Sequence, residues 1–282
     1  MRCVRRIAEI REAVAERRRA GARIAFVPTM GALHEGHLAL VDRARRGADV
    51  VVMSVFVNPL QFGPTEDFAR YPRDEEADAA LAADRGVDLF FAPEIAEMYP
   101  GDAEVRVVPG AAASEWEGAV RPGHFAGVLT VVAKLLHIVA PDVAVFGRKD
   151  LQQASLTRRM VRDLDFPVAI EVAPTVRERD GLALSSRNRY LGAEDRVRAL
   201  ALVHALRTTC AHFTLGERDA TALVRKGLGA AEHDGVSPEY LAVVDPETMA
   251  RVEEATPRSA VIIAARVGGT RLIDNMMLAE PE

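Results

Sequence analysis

The chain has 282 residues, a net charge of −5 and a hydrophobic fraction of 49%. This length accommodates one large domain or two ordinary ones around a full apolar core. The acidic balance argues against a general nucleic-acid binder. Two cysteines, Cys3 and Cys210, are too few for a disulfide framework or a multi-cysteine metal site.

No apolar run reaches the ~20 residues that span a bilayer, and the charged start lacks the apolar segment of a signal peptide. We therefore expect a cytoplasmic protein with no membrane partner, in a reducing compartment. Basic clusters at 17–19 and 43–46 allow two interpretations, a solvated helix face or a nucleic-acid patch, and we favour the first.

The first 175 residues alternate short apolar runs, typical of strands buried on both faces, with helical patterns. The predicted strands are 24–27, 50–57, 88–91, 105–108, 143–146 and 168–172. The predicted helices are 38–46, 74–85, 128–139 and 150–162. This order predicts an α/β fold with a doubly wound, parallel, Rossmann-like sheet.

Beyond residue 176 the pattern changes to two helices followed by short strands. The predicted helices are 193–213 and 218–233, and the predicted strands are 240–244, 260–266 and 270–273. We expect a catalytic domain at 1–175 and a smaller α+β domain at 176–282, which acts as a lid.

Parallel sheets bind ligands beyond the carboxyl ends of their strands. Polar motifs follow the predicted strands at residues 27, 57, 146 and 172, so we expect them to share one rim. In the first motif, 27–38, His34 and His37 lie where a helix should begin, and helix starts bind anions. Two imidazoles there can donate to a polyphosphate and stabilise charge on its bridging oxygen. The alternative is a pair that only caps or packs, and metal binding lacks a suitably spaced third ligand.

Two further motifs carry neutral or basic hydrogen-bonding groups. In 58–63, Asn58 and Gln61 can bind hydroxyls or a carboxylate without adding charge, or can form an ordinary turn. The glycine-containing loop 121–127, with Arg121 and His124, can cover a ligand or simply enter a helix.

The segment 147–153 follows a strand and opens a helix. Lys149 can neutralise phosphate charge, and Gln153 can reach the rim one turn later. Asp150 can cap the helix, bind a ribose hydroxyl or hold a metal. The alternative is a capped helix with surface cations.

The segment 184–188 lies just past the expected domain boundary. Two hydroxyls and a guanidinium, from Ser185, Ser186 and Arg187, can donate hydrogen bonds to triphosphate oxygens. From a second domain these groups can close over the site. The alternative is a linker with an N-cap serine.

These motifs resemble the pantothenate synthetase (pantoate–β-alanine ligase) family, within the nucleotidyltransferase-like group that carries a HIGH-type motif. The resemblance covers essentially the whole chain, in order and spacing, and is carried by segments 28–37, 58–62, 121–125, 147–153 and 180–188. Position 148 is often Glu or Gln in this family and is Arg here, and we expect Arg148 to face solvent.

The resemblance implies a two-step reaction. Pantoate carboxylate attacks the α-phosphate of ATP to give pantoyl adenylate and pyrophosphate, and the β-alanine amine then gives pantothenate and AMP. It also implies Mg²⁺ and a homodimer.

The resemblance further assigns site residues by position. His37 is the implied catalytic acid, with His34 as its partner and Lys149 as a third catalytic group. The implied ATP-binding residues are Met30, Gly31, His34, His37, Gly147, Arg148, Lys149, Asp150, Val176, Leu184, Ser185, Ser186 and Arg187. The implied pantoate and β-alanine residues are Gln61, Gln153, Asn58 and His124, and the metal is carried by ATP, near Asp150.

Two other functions stay open at this point. A nucleotidyltransferase that leaves the nucleotidyl group on its product would share the fold and the histidines. A non-catalytic nucleotide sensor would bind ATP without releasing pyrophosphate, but it leaves Gln61 and Gln153 unexplained.

Overall fold

The computed structural model describes residues 1–64, 66–101 and 104–280. The chain forms two compact units. The first contains Met1–Gly147 and Leu156–Ala173, and the second contains Arg148–Ser155 and the chain from Pro174 onward.

Parallel strands form the sheet of the first unit, in the order β1-β4-β3-β2-β5-β6. They are β1 (Arg2–Val4), β2 (Ile24–Thr29), β3 (Val50–Val55), β4 (Leu89–Phe91), β5 (Val143–Gly147) and β6 (Ala169–Ala173). The central strands β2 and β3 pair along their whole length, from Ile24 opposite Val50 to Thr29 opposite Val55. Because all these strands are parallel, their carboxyl ends lie at one edge of the sheet.

Helices cover both faces of this sheet. They are α1 (Ile7–Arg19), α2 (Glu35–Arg45), α3 (Glu75–Asp84), α4 (Ile95–Met98), α5 (Glu117–Val120), α6 (His124–Val139) and α7 (Leu151–Asp163). Along β2, Ile24 and Phe26 pack in one apolar cluster with α1 and α6. Ala25 and Val27 alternate with them and pack in another with α2 and α3. The strands are therefore buried on both faces, which confirms the doubly wound prediction.

The second unit contains an antiparallel sheet in the order β7-β8-β9. Its strands are β7 (Pro238–Val244), β8 (Ala260–Val267) and β9 (Thr270–Met277), and its helices are α8 (Ala193–Arg198), α9 (Leu200–Thr214) and α10 (Ala220–His233). Leu202, Leu206 and Leu223 on the helices pack with Val261 and Ile263 on β8. This α+β arrangement agrees with the predicted fold class.

Several predicted elements differ from the structure in presence or extent, among them 105–108, 193–213 and the end of β3. The segment 105–108 is not a strand: Val105 and Val108 are 89% and 77% exposed, and the Val107 N–H donates to Thr130 Oγ1 at 3.0 Å rather than to a neighbouring strand. The predicted helix 193–213 is divided at Ala199 into α8 and α9, and β3 ends at Val55 instead of residue 57.

In the described ranges, no helix has the length and apolar composition of a membrane span. Cys3 and Cys210 are free thiols, the first exposed and the second buried. Burial raises the pKa of Cys210 to about 11, so this thiol stays protonated at neutral pH.

Candidate active site

Two imidazoles lie at the N-terminus of α2, shortly after β2 ends. His34 is the N-cap residue, and its Nδ1 accepts a hydrogen bond from the Gly36 N–H at 3.1 Å. Because that bond needs an unprotonated Nδ1, a neutral His34 carries its proton on Nε2. The His37 ring lies 4.1 Å from the His34 ring between centroids. The pair combines ring N–H donors with the positive end of a helix, which is an arrangement suited to phosphate.

A buried carboxylate on α3 holds the segment between β2 and α2. Asp78 accepts hydrogen bonds from the Ala32 N–H at 2.9 Å and the Leu33 N–H at 2.7 Å. Gly31 has a φ of +79°, and a Cβ there would lie 2.7 Å from Asp78 Oδ2 and 2.8 Å from Val55 Cγ1. Position 31 therefore requires glycine, and the path of the chain into the histidine pair is fixed by close contacts.

Asn58, just after β3, is a buried anchor. Its Nδ2 donates to Gln61 Oε1 and to the Gly127 carbonyl, each at 3.1 Å. Its Oδ1 accepts from the Tyr99 hydroxyl at 2.9 Å and from the Leu60 N–H at 3.3 Å. These bonds use both donors and both acceptor positions of the Asn58 amide.

The Gln61 amide is oriented by Asn58. Since Gln61 Oε1 accepts from Asn58, the opposite group of the amide, Nε2, lies 2.9 Å from Met30 Sδ. A thioether is a weak acceptor, which a carboxylate or hydroxyl oxygen can replace. The Gln61 NH₂ is therefore presented beside the β2–α2 segment that leads to His34 and His37.

The backbone of Gln61 is held by residues at the start of α6. His124 Nδ1 lies 2.8 Å from the Gln61 carbonyl oxygen, and Arg121 Nη2 lies 3.3 Å from the same oxygen. Arg121 Nη1 lies 3.0 Å from His124 Nε2, and Arg121 Nε donates to Glu66 Oε1 at 2.9 Å. These groups form one connected network around a single carbonyl.

The charges in this network follow from its burial. Burial, together with the neighbouring charge of Arg121, lowers the pKa of His124 to about 4, so the ring is neutral at physiological pH. A neutral ring that donates from Nδ1 to a carbonyl must accept at Nε2, which matches the Arg121 contact. Burial alone raises the pKa of Glu66, but the hydrogen bond and charge of Arg121 outweigh it and lower this pKa below its ordinary value.

In the second unit, β9 holds the turn that contains Lys149. Asn275 Nδ2 donates to the carbonyl oxygens of Arg148 and Lys149, each at 2.9 Å. The Arg148 side chain is only 14% exposed and pairs with Glu280 at 3.5 Å, so the expectation that it faces solvent is wrong. Lys149 Nζ lies 3.8 Å from the half-exposed carboxylate of Asp150.

The predicted residues 176 and 184 meet at the base of a loop in the same unit. The Leu184 N–H donates to the Val176 carbonyl at 2.9 Å. Arg177, next in the chain, forms a buried ion pair with Asp274 on β9 at 2.7 Å. This loop is thereby tied to the small sheet.

The remaining predicted residues have local roles that the sequence left open. Ser185 is an N-cap whose Oγ accepts from the Arg187 N–H at 3.2 Å, and Ser186 begins the 3₁₀ turn that follows. Gly147 ends β5. Gln153 is partly buried on the first turn of α7.

The predicted residues thus fall into two sets. The first unit brings together the histidine segment, Asn58, Gln61 and His124, linked through the contact between Gln61 and Met30. The second unit contains Arg148 to Gln153 and the segment 176–187.

Sequence reasoning missed Glu66, Asp78 and Asn275 as supports for these sets. Each contacts its target across a long sequence separation, 55 residues for Glu66 and Arg121 and 46 for Asp78 and Ala32. No local spacing marks such residues: α3 carries three other acidic residues besides Asp78, and only the folded structure shows which of them is buried.

A family model described as pantoate-beta-alanine ligase matches residues 2–277 of the chain. Pantothenate synthetase of Acidobacterium capsulatum is 53% identical over 292 aligned residues, which cover 99% of this chain and 98% of the relative. Pantothenate synthetase of Acidothermus cellulolyticus is 55% identical over 265 residues, 92% of this chain and 86% of the relative.

Solved structures give the same result. The pantoate-beta-alanine ligase (pantothenate synthetase) of Thermus thermophilus superposes with a TM-score of 0.94 at 50% identity, covering 99% of this chain and 100% of that one. The pantoate-beta-alanine ligase of Francisella tularensis, complexed with beta-gamma ATP and beta-alanine, gives a TM-score of 0.82 at 32% identity, covering 100% of both chains. The chain therefore belongs to the pantoate–beta-alanine ligase family.

Proposed function

We propose that this member of the family joins pantoate to β-alanine with ATP, through a pantoyl adenylate. In the first step a carboxylate oxygen of pantoate attacks the α-phosphorus of ATP, the bond to the bridging oxygen breaks, and pyrophosphate leaves. In the second step the β-alanine amine attacks the activated carbonyl carbon, the carbon–oxygen bond to AMP breaks, and the amine loses its proton.

The observation that carries this assignment is the contact between Gln61 and Met30. It sets a neutral carboxamide donor, suited to an acid or hydroxyl, against the segment that leads into the His34 and His37 pair. An acid and a phosphate can thus be bound side by side, as adenylation requires.

In this proposal His37 donates a hydrogen bond to the bridging oxygen as pyrophosphate departs, and His34 assists it from its Nε2 position. Charge develops on that oxygen in the transition state, so the contribution of His37 is greatest there. Gln61 and Gln153 bind pantoate, and Gln61 also contributes to β-alanine binding.

The family resemblance also assigns residues of the second unit to ATP. Lys149, Ser185, Ser186 and Arg187 bind phosphate oxygens, since ammonium, hydroxyl and guanidinium groups all donate to them. Met30, Gly31, Gly147, Arg148, Asp150, Val176 and Leu184 are assigned to the remainder of the nucleotide.

Mg²⁺ enters this proposal as a companion of the nucleotide. In the part of the chain that the structure describes, no group of three or more His, Cys, Asp or Glu side chains is arranged to hold a metal ion. The single half-exposed carboxylate of Asp150 fits Mg²⁺, which keeps several waters and binds mainly to substrate phosphates. Bound there, Mg²⁺ would offset phosphate charge.

We further infer a homodimer in the cytoplasm from the family resemblance. The HIGH-type motif corresponds here to His34-Glu35-Gly36-His37. Sedimentation of the purified protein would test the dimer directly.

The reaction itself is tested by incubating the protein with ATP, pantoate and β-alanine and following AMP, pyrophosphate and pantothenate. We expect AMP release to need both acids and to match pantothenate formation. A stable adenylylated product would identify a nucleotidyltransferase instead, and ATP binding without pyrophosphate release would identify a sensor. Either result would overturn the ligase assignment.

A further inference from the structure

We propose that Glu66, Arg121 and His124, called here the Gln61 clamp, position Gln61 for its acidic substrate and act on the reaction only through Gln61. This inference rests on the proposed role of Gln61. It assigns His124 a positioning role in place of direct substrate contact, and it adds Glu66 and Arg121 to the residues that determine substrate affinity.

Gln61 lies in a turn that is weak by itself. It occupies the last position of a three-residue 3₁₀ turn, Pro59–Gln61, and such short turns have poor internal hydrogen bonding. Two donors from the clamp, His124 Nδ1 and Arg121 Nη2, converge on the Gln61 carbonyl oxygen. The peptide cannot rotate without losing both bonds, so the clamp supplies the rigidity that the turn lacks.

The His124 ring has no nitrogen left for a ligand. Nδ1 donates to Gln61 and Nε2 accepts from Arg121. His124 is only 8% exposed. Because both ring nitrogens already have partners, His124 affects the substrate through Gln61, the residue that it holds.

Glu66 fixes the orientation of the Arg121 guanidinium. Arg121 Nε and Nη2 donate to the two carboxylate oxygens of Glu66, which leaves Nη1 directed at His124. The two side chains are 18% and 23% exposed, so water competes little for this pair. A planar, forked cation is needed to bind Glu66, His124 and the Gln61 carbonyl at once, and lysine cannot replace it.

The clamp and Asn58 act on different parts of Gln61. Asn58 sets the direction of the side-chain amide, and the clamp sets the backbone from which that amide projects. Loss of the clamp should therefore displace the NH₂ donor without removing it. We therefore expect a lower kcat/KM for pantoate with little change in the KM for ATP.

The test compares steady-state kinetics for each of the three substrates in His124→Leu, His124→Asn and wild-type enzyme. His124→Leu should lower kcat/KM for pantoate by about tenfold, the equivalent of one to two net hydrogen bonds, while the KM for ATP stays within about twofold. His124→Asn, whose amide N–H lies near the position of Nδ1, should recover part of the loss. The same change at an exposed histidine on the same helix, His137→Leu, is the matched control and should match wild type.

A double-mutant cycle decides whether the clamp acts through Gln61. In a Gln61→Ala background, His124→Leu should change kcat/KM for pantoate by less than about twofold, because the group that it positions is gone. Full additivity of the two losses would overturn the proposal. Equal losses for ATP and pantoate in a folded variant would do so as well.

Glu66→Gln provides an independent route if His124→Leu does not fold. This near-isosteric change removes the charge that holds Arg121, and it should give the same selective loss for pantoate, again absent in the Gln61→Ala background. Kinetics unchanged from wild type would overturn the clamp. If Gln61→Ala alone leaves pantoate kinetics unaltered, the proposed role of Gln61 fails, which is distinct from failure of the clamp.

Discussion

At the scale of single residues, the histidine pair shows how a capping role and a chemical role can coexist. His34 uses Nδ1 to cap α2 through Gly36. That bond does not compete with the proposed chemistry, because it fixes the tautomer that directs the Nε2 proton outward from the cap. The two interpretations that the sequence left open for His34 are therefore compatible.

For His37 we predict that replacement by alanine lowers kcat far more than it weakens ATP binding. The expected loss is about 100-fold or more in kcat, the usual contribution of a positioned acid or oxyanion donor. The KM for ATP should change by only a few-fold, since the interaction is strongest in the transition state. Initial rates at varied ATP, with pyrophosphate release as the signal, measure both quantities.

The control for this variant is His233→Ala, at an exposed histidine in the last turn of α10. It should behave as wild type. Turnover unchanged in His37→Ala would remove His37 from the mechanism.

At the scale of elements, α6 is packed unusually close to the turn that carries Gln61. A Cβ at Gly127 would lie 2.1 Å from the Leu60 carbonyl oxygen and 2.7 Å from Gln61 Cα. The absence of a side chain at this position lets the helix support the turn by backbone contact.

We therefore predict that Gly127→Ala destabilises the protein by about 1–3 kcal/mol, although alanine is the better helix former. The matched control is Gly229→Ala on α10, where a Cβ meets nothing within 4 Å. That change should stabilise the protein by roughly 0.5–1 kcal/mol. Urea denaturation of both variants measures the difference, and two changes of the same sign would contradict the close-packing argument.

Asp78 joins α3 to the segment before α2, so its loss should affect both elements. Asp78→Ala leaves the Ala32 and Leu33 N–H groups without this acceptor, which should cost about 1–3 kcal/mol of unfolding free energy. Activity should fall with it, since the segment carries His34. Asp84→Ala, an exposed position on the same helix, is the comparison, and equal losses in both variants would argue against a special role for Asp78.

The elements that sequence predicted correctly are those whose residues alone determine them. β2, β3 and β5 are short apolar runs, which are typical of strands buried on both faces. The segment 105–108 is also rich in valine, although Arg106 interrupts it, but the strand prediction failed there. A strand also needs a neighbouring backbone, and the Val107 N–H bonds to a side chain instead. β1 was missed because its three residues pair only at the edge of the sheet.

The site residues show the same difference between local motifs, which sequence reveals, and long-range contacts, which it does not. Residues in local motifs, such as His34 and Gln61, were found from spacing and position after a strand. Glu66 and Asp78 support those motifs from distant parts of the chain, so their partners exist only after folding. A single sequence carries no record of such pairs.

At the scale of the whole molecule, the chain does not divide at one point. The segment Arg148–Ser155 groups with the second unit although it lies between β5 and the rest of α7. Asn275 accounts for this locally, because its amide binds the carbonyl oxygens of Arg148 and Lys149. A change in amino-acid composition near residue 175 cannot reveal that this short segment groups with the second unit, because the contacts with Asn275 are made by backbone carbonyl oxygens.

The stability of the whole protein should depend on pH through the neutral, buried His124. Its pKa is about 4 in the folded protein, whereas an unfolded histidine has a pKa of about 6.5. Between these values the unfolded chain binds a proton that the folded chain does not, so acidification lowers stability by up to ~1.4 kcal/mol per pH unit from this group. Below about pH 4 the folded protein binds the proton too, and this contribution ends.

The groups that face His124 do not obscure the effect. These groups are Arg121, Glu66 and Glu117, and the hydrogen bond and charge of Arg121 hold the pKa of Glu66 below its ordinary value, away from most of this window. His124→Asn cannot titrate, so the stability advantage of wild type over this variant should shrink by about 1 kcal/mol or more between about pH 7 and about pH 5. Guanidinium denaturation at several pH values measures that difference. A constant advantage across the window would mean that folded His124 takes up a proton as readily as the unfolded residue does, so that burial and the contact with Arg121 would not lower its pKa.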